Sequence, residues 1–226
     1  MQAPRSEGGN FERHPIGWTT AVCTRVIDKG THWHEKNQKF LRKIVIAFES
    51  EKLMTTGDYK NEPFLLFANF NYSMYASSHL CKFVEDWSGR RFPTQDDADA
   101  FDLATLIGKE AFCNVVHSED GKFTNIQTIG PIPDGMKAPQ TKGKTILIDQ
   151  DALNMSEVEK LTENMKASVL SAKEQTEPEK PSTQGAADTS TAPTQTTTET
   201  TRGETKALRD AIDGPETPPI DAYQGS

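Results

Sequence analysis

Large apolar side chains are missing from the last part of this sequence. All 11 phenylalanines, all 3 tryptophans and all 3 cysteines fall before residue 124, and of the 4 tyrosines only Tyr223 comes later. Fixing a backbone costs roughly 1–2 kcal/mol per residue, which apolar burial must offset. Residues 174–226, built mainly of Thr, Glu, Pro, Gln and Ala, have little to bury and read as a disordered acidic tail.

Paired cysteines are lacking too. Cys23, Cys81 and Cys113 form no Cys-x-x-Cys, and an odd number argues against a disulfide framework or a thiolate zinc site. Two of them sit in apolar strand-like runs, AVCTRVI and AFCNVVH, which suits a reducing, cytoplasmic setting. There is no basic-then-apolar leader and no apolar run near the ~20 residues that a membrane span needs. The reading is a soluble protein with no membrane partner.

Signatures of catalysis are absent as well: no phosphate-cradling Gly loop, no Gly-x-Ser-x-Gly, no His-Glu-x-x-His. His32 and His34 flank Trp33, and Cys113 precedes His117 by four, but a metal needs three or four convergent ligands. Asp96, Asp97, Asp99 and Asp102 resemble a nuclease cluster, yet a helix's first turn favours acids in any case. The expectation is no enzyme, no cofactor and no metal.

What is present is unevenly distributed. The net charge is −8, but residues 1–149 carry 18 Lys and Arg against 19 Asp and Glu, whereas residues 150–226 carry 7 against 14. The acidity belongs to the tail, so it does not argue against nucleic-acid binding by the front part.

Residues 1–14 are polar and read as a flexible arm. Strands are predicted over 18–28 (WTTAVCTRVID), 40–49 (FLRKIVIAFE) and 64–72 (FLLFANFNY), from their alternation and β-branched content. The second is half-covered on its second side. Between the first two, KGTHWHEKNQ reads as a polar loop. Ser77 or Ser78 caps a helix carrying Leu80, Phe83, Val84 and Trp87, and Gly89 stops it. A second helix is predicted over 94–107, then two strands around a Glu-Asp-Gly turn. Strand, strand, strand, helices, strand, strand is the order of a mainly β, OB-fold-like five-stranded Greek-key barrel. A β-sandwich or an α+β sheet of the same order stays open. The domain so defined spans 15–149, with TILID as an added strand or an edge segment. Residues 150–173 hold a weak amphipathic helix, and 174–226 are the tail.

Single-strand binders combine cations for phosphates with aromatic faces for bases. The first two strands and their connection hold Arg25, Lys29, Lys36, Lys39, Arg42 and Lys43 interleaved with Trp33 and Phe40. Trp33 in a polar loop is hard to explain as core, though it can fold back over the barrel. Arg42, between Phe40 and Ile44, is either paired or free for a phosphate. Arg90 and Arg91 either clamp phosphates or pair with Glu85 and Asp86. Lys122 and Phe123 in the last hairpin complete the candidate set.

WSGRRFPT at 87–94, FDLATLIG at 101–108, CNVVH at 113–117 and the Asp-Gly hairpin resemble a group of phage- and prophage-encoded proteins described as single-stranded DNA-binding or replication-associated. The similarity covers about 15–135. It implies an OB-like barrel acting in phage DNA replication or recombination in the host cytoplasm, and it transfers no binding residue. SSHLCKF is less basic than the group's helix there. The ending PETPPIDAYQGS is similar to the acidic, partner-recruiting tips of bacterial single-strand binders, without their terminal Phe, and such a tail can also shield a basic groove. The resulting expectation is sequence-tolerant binding of single-stranded DNA, or of RNA, with replication or recombination proteins held by the tail. Homo-oligomer formation stays open. The alternatives are an adaptor that contacts only proteins and, further off, a metal-dependent nuclease.

Overall fold

A computed structural model describes residues 12–176. The described residues are mainly β, with six strands in one sheet and a few short helices. The strands are β1 (Gly17–His34), β2 (Lys39–Leu53), β3 (Pro63–Asn71), β4 (Glu110–His117), β5 (Thr124–Gly130) and β6 (Ile146–Ile148). The path is β3-β2-β1-β4-β5, antiparallel throughout, and β6 lies parallel beside β1. β3 and β5 come alongside each other without a hydrogen-bonded ladder, so the sheet is curled but not closed.

β1 organises the sheet. Its register against β2 shifts between Cys23 and Arg25 and again between Asp28 and Gly30. Such irregularities bend a strand and re-aim its edge. One edge follows β2 from Ala21 to His34, while the other pairs first with β4 and then, past the first shift, with β6. Gly30 has φ 78°, in the left-handed region, and a Cβ there would overlap that of Ala172.

The segment expected as a polar loop is strand. Pairing continues to His34 against Lys39, and only Glu35–Asn37 form a 3-10 turn, closed by Gln38 at φ 49°. The cross-strand pair of Trp33 and Phe40 gives this polar end of the hairpin a reason to stay paired.

The inward faces of the strands bury Ala21, Cys23, Val26, Ile44, Ile46, Phe48, Leu66, Cys113 and Val115. Helix α1 (His79–Ser88) closes this core with Leu80, Cys81, Val84 and Trp87. Ser78 caps it by accepting the Cys81 N–H at 3.2 Å, and Gly89 ends it at φ 67°, as the sequence suggests. The Trp87 indole donates to the Glu110 carbonyl at 2.7 Å and meets the Phe48 ring edge-on at 5.0 Å. The helix expected over 94–107 is broken into α2 (Gln95–Asp99) and a 3-10 turn at Leu103–Leu106. The Asp102 carboxylate accepts the Ala104 N–H at 2.9 Å and starts the second piece anew. Thr94 and Asp97 form a capping box, which accounts for the first-turn acids.

A second core covers the outward face of β1 and β2. Ile27 and Val45 pack with Ile146, Ile148, Val158, Leu161 and Val169. The last three belong to a segment folded as α3 (Met155–Val158), α4 (Glu163–Leu170) and α5 (Lys173–Thr176), so a turn interrupts the single helix expected there. The compact body thus continues beyond residue 149. Residues 1–11 of the expected arm, and the expected tail from 177 onward, lie outside the described residues. The rest of the arm is anchored. Glu12 accepts the N–H groups of Thr55 and Thr56 at 2.7 and 2.8 Å. His14 is buried, within 2.9 Å of the Ser50 hydroxyl and edge-on to Phe64.

Two outcomes follow from this packing. Ile148→Ala empties the middle of the second core and lowers stability by about 2–5 kcal/mol, read as a drop in urea midpoint. Burial holds His14 below the ordinary histidine pKa, and Lys52 and His117 add to this against its bond to the Pro15 carbonyl and the charge of Glu51. The unfolded chain takes up this proton near pH ~6.5 and the folded chain only at lower pH. Stability contributed by neutral His14 is therefore present above that value and is lost as pH falls below it. In His14→Gln, the slope of unfolding free energy against pH between about 5 and 7 becomes shallower.

Candidate nucleic-acid interface

The hairpin of β1 and β2 extends past the two cores, and its end carries the aromatic pair. Trp33 and Phe40 face each other across the strands, ring centroids 5.1 Å apart and nearly perpendicular. They are 50% and 52% exposed, so each keeps a face open to solvent while the contact fixes its orientation. Lys39 is exposed next to Phe40. The ammonium of Lys173, from α5, sits 4.9 Å from the Phe40 centroid. α5 is held there by Glu174, whose carboxylate accepts the N–H of Thr31 at 2.9 Å and its hydroxyl. These bonds offset the burial that raises the Glu174 pKa and leave it below the usual range.

Lys43 lies on the outward face of β2, its ammonium donating to the Asn71 side-chain oxygen. Arg42 is occupied. Its Nε donates to the buried Asp28 at 2.9 Å, its Nη2 donates to both Asp28 and Asp151, and its guanidinium lies 5.0 Å from the Tyr72 ring centroid. Burial works against its charge, but the two carboxylates hold its pKa above the ordinary value. Of the two roles read for Arg42, internal pairing is the one seen.

Arg25 is half-buried on the outward face, opposite Ala47, with its Nε shielded from solvent and without a hydrogen-bond partner. Burial lowers its pKa, opposed by the charge of Glu49. Glu49 itself accepts the N–H groups of Lys142 and Gly143. Arg91 pairs with Glu85 at 2.6 Å and with Asp86 at 3.7 Å, and Glu85 also accepts the Phe92 N–H. Arg90 is exposed beside it. Lys122 lies 3.6 Å from Asp120 in the β4–β5 turn, where Phe123 is exposed. The fold therefore gathers Trp33, Lys39, Phe40, Arg42 and Lys43 on one hairpin, and it puts Arg90, Arg91, Lys122 and Phe123 on other connections.

The histidines flanking Trp33 have local partners. His32 Nε2 is 2.8 Å from the Lys29 carbonyl, and His34 accepts the Asn37 N–H. His117 reaches the His14 carbonyl at 2.8 Å. Among the described residues no group of three or more His, Cys, Asp or Glu is placed to hold a metal, and no helix is long and apolar enough to cross a membrane. Burial pushes the Cys23 and Cys113 thiols up to about 12, so both are un-ionised at neutral pH.

Three features escape a reading of local pattern. Lys173 reaches Phe40 from a distant part of the chain, and no short-range signal announces it. Trp18 and Phe112 stack flat, 4.7 Å apart at 12°, on the outward face of β1 and β4, with Trp18 half-exposed. A groove of about 630 Å³ borders β2, β3 and the start of α1, lined by Lys29, Lys43, Asn69, Asn71, Ser78 and His79 among others. The alternation of Phe67, Asn69 and Asn71 was a readable sign of an outward polar row. No family model matches the sequence, and neither does any curated protein.

The Arg42 geometry carries a stability expectation. Arg42→Met leaves Asp28 buried without its cation and lowers stability by about 1–3 kcal/mol. Asp151→Asn removes an exposed partner, 69% accessible, and changes stability by less than about 1 kcal/mol. Denaturant titration of the two variants separates these outcomes.

Proposed function

We propose that this protein binds single-stranded DNA with little sequence preference, as a binding module and not an enzyme. The observation that carries this is the half-exposed Trp33–Phe40 pair at the hairpin end, with the Lys173 ammonium over the Phe40 ring and Lys39 and Lys43 on the same strand as Phe40. No ion pair among the described residues engages Lys39 or Lys43. Every base has a π-face, so a fixed aromatic pair holds any sequence, and nearby ammonium groups take the phosphates.

The strand path and the helices between β3 and β4 support reading the sheet as an OB-like barrel opened between β3 and β5, an architecture that places oligonucleotides on its second and third strands and adjoining loops. A setting in phage replication or recombination rests on the sequence resemblance, as does recruitment of replication proteins by the acidic tail. The Trp18–Phe112 stack, at the other end of β1 from Trp33 and half-exposed at Trp18, favours a second reading as a protein-binding adaptor. A protein that recovers replication proteins after nuclease treatment and leaves DNA unshifted would establish that reading.

Titration of the tryptophan fluorescence with an oligo-dT tests the proposal. Saturable quenching at low salt is expected, weakening steeply as salt rises because bound counterions are released. Trp33→Ala and Phe40→Ala each weaken binding by about tenfold or more, corresponding to ~1–3 kcal/mol per stacked base, and Trp33→Ala removes most of the quenching. A wild-type titration without saturable quenching at low salt overturns the proposal.

A further inference from the structure

The outward face of the sheet is covered unevenly. Over β1 and β2 the side chains of Ile27 and Val45 are sealed beneath β6, α3 and α4. One strand further, Phe67, Asn69 and Asn71 of β3 stay exposed. The groove of about 630 Å³ lies at this step, with Val45 among its lining residues. Lys29 reaches it from the second irregularity of β1, Lys43 from β2 and His79 from the first turn of α1. Among the described residues that line it, none is a carboxylate.

Neither lysine is engaged by an acid among the described residues. Two ammonium groups in one concavity, walled partly by protein, concentrate positive potential that an anion relieves. A bare ion would leave most of the volume unused, because pockets of this size accommodate organic ligands. The Asn69 amide has no hydrogen-bond partner among the described residues, and it offers a donor and an acceptor side by side, as base edges require. Lys43 lies three residues from Phe40 along β2, roughly 10 Å at the rise of a strand and, by strand alternation, on its other face. β3 pairs with β2 only as far as Lys43, so a strand leaving the aromatic pair reaches the groove by crossing the edge of β2 beyond the end of β3.

We infer that this groove is a second contact for the same DNA strand, with Lys29 and Lys43 on phosphodiester oxygens and Asn69 on a base edge. The inference rests on the function proposed above. It makes the C-terminal segment a guide rail: by sealing the outward face of β1 and β2 it leaves the strand only the β2–β3 side.

The test is titration of the full chain with a single-stranded oligonucleotide at several salt concentrations, with circular dichroism confirming that each variant is folded. Lys29→Ala/Lys43→Ala is expected to weaken binding about tenfold and to flatten the dependence of log K on log salt by about 1.4, at about 0.7 per phosphate contact. Asn69→Ala is expected to weaken binding several-fold with the slope unchanged. Lys60→Ala/Lys82→Ala, two lysines outside the groove, is expected to leave the slope nearly as in the wild type. If the groove pair keeps the wild-type affinity and slope, or the control pair flattens the slope equally, the groove is not a contact although the hairpin reading stands. If the wild type does not bind at all, both fall.

Discussion

Asp28 holds the turning point of the fold. Its carboxylate accepts the Gly30 N–H at 2.9 Å where β1 breaks register, and it takes the Arg42 guanidinium from the neighbouring strand. Its carbonyl receives the Gln150 amide, which also reaches the Val169 carbonyl and so ties β1 to α4. A buried carboxylate is costly unless its lone pairs are filled, and here one group joins strand, hairpin and C-terminal segment. Beyond this point β1 leaves the first core. The strand can project only because this junction fixes its direction, and Gly30 lets Ala172 approach closely enough for α5 to brace the projecting part.

Buried carboxylates hold two of the arginines. Arg42 and Arg91 are held by Asp28 and Glu85, buried carboxylates that each accept a backbone N–H as well. The planar fork of arginine suits such multiple bonding. Along the hairpin, Arg25, Lys29, Lys36, Lys39, Lys43 and Lys52 have no ion pair among the described residues. A lysine is a mobile point charge, which suits a phosphate backbone whose position shifts with sequence. Counting basic residues along the first two strands cannot separate held cations from unpaired ones, because Arg42 is held mainly by Asp28, which strand register brings beside it, with Asp151 added from much later in the chain.

This explains how much of the molecule was legible in the sequence. The alternating runs of β1, β2 and β3, the Ser78 and Gly89 ends of α1 and the mainly β character follow from local spacing, and the structure shows them. The half-covered second side of β2 was readable from Val45 and Ala47, but what covers it was not. Ile146, Ile148, Val158 and Val169 are scattered through a polar segment with weak periodicity, and only their convergence on Ile27 and Val45 makes them a core. The hairpin end was misread for the opposite reason. His32, His34, Glu35 and Lys36 have loop composition, yet an aromatic pair across two strands is enough to keep them in register. For the site, Trp33 and Phe40 stood out because aromatic rings among polar neighbours lack a core to enter. Asn69 did not stand out, since an asparagine in a strand draws attention only once its face is known.

The front part of the chain is nearly neutral, so any attraction for a polyanion must come from arrangement and not from excess charge. The fold meets that condition by pairing some of its cations, as in Arg42, Arg91, Lys122 and Lys166, and by leaving Lys29, Lys39 and Lys43 without acid partners along one hairpin. Electrostatics of this kind are local, and salt screens them within about 8–10 Å. The aromatic contribution is not screened. If the hairpin binds as proposed, the ring pair would hold part of the strand where salt has screened the lysines, and the rings would supply the sequence tolerance. The uncovered strip of β2 and β3 is the part of the outward face left for a further contact, because the C-terminal segment has taken the face of β1 and β2 for a core.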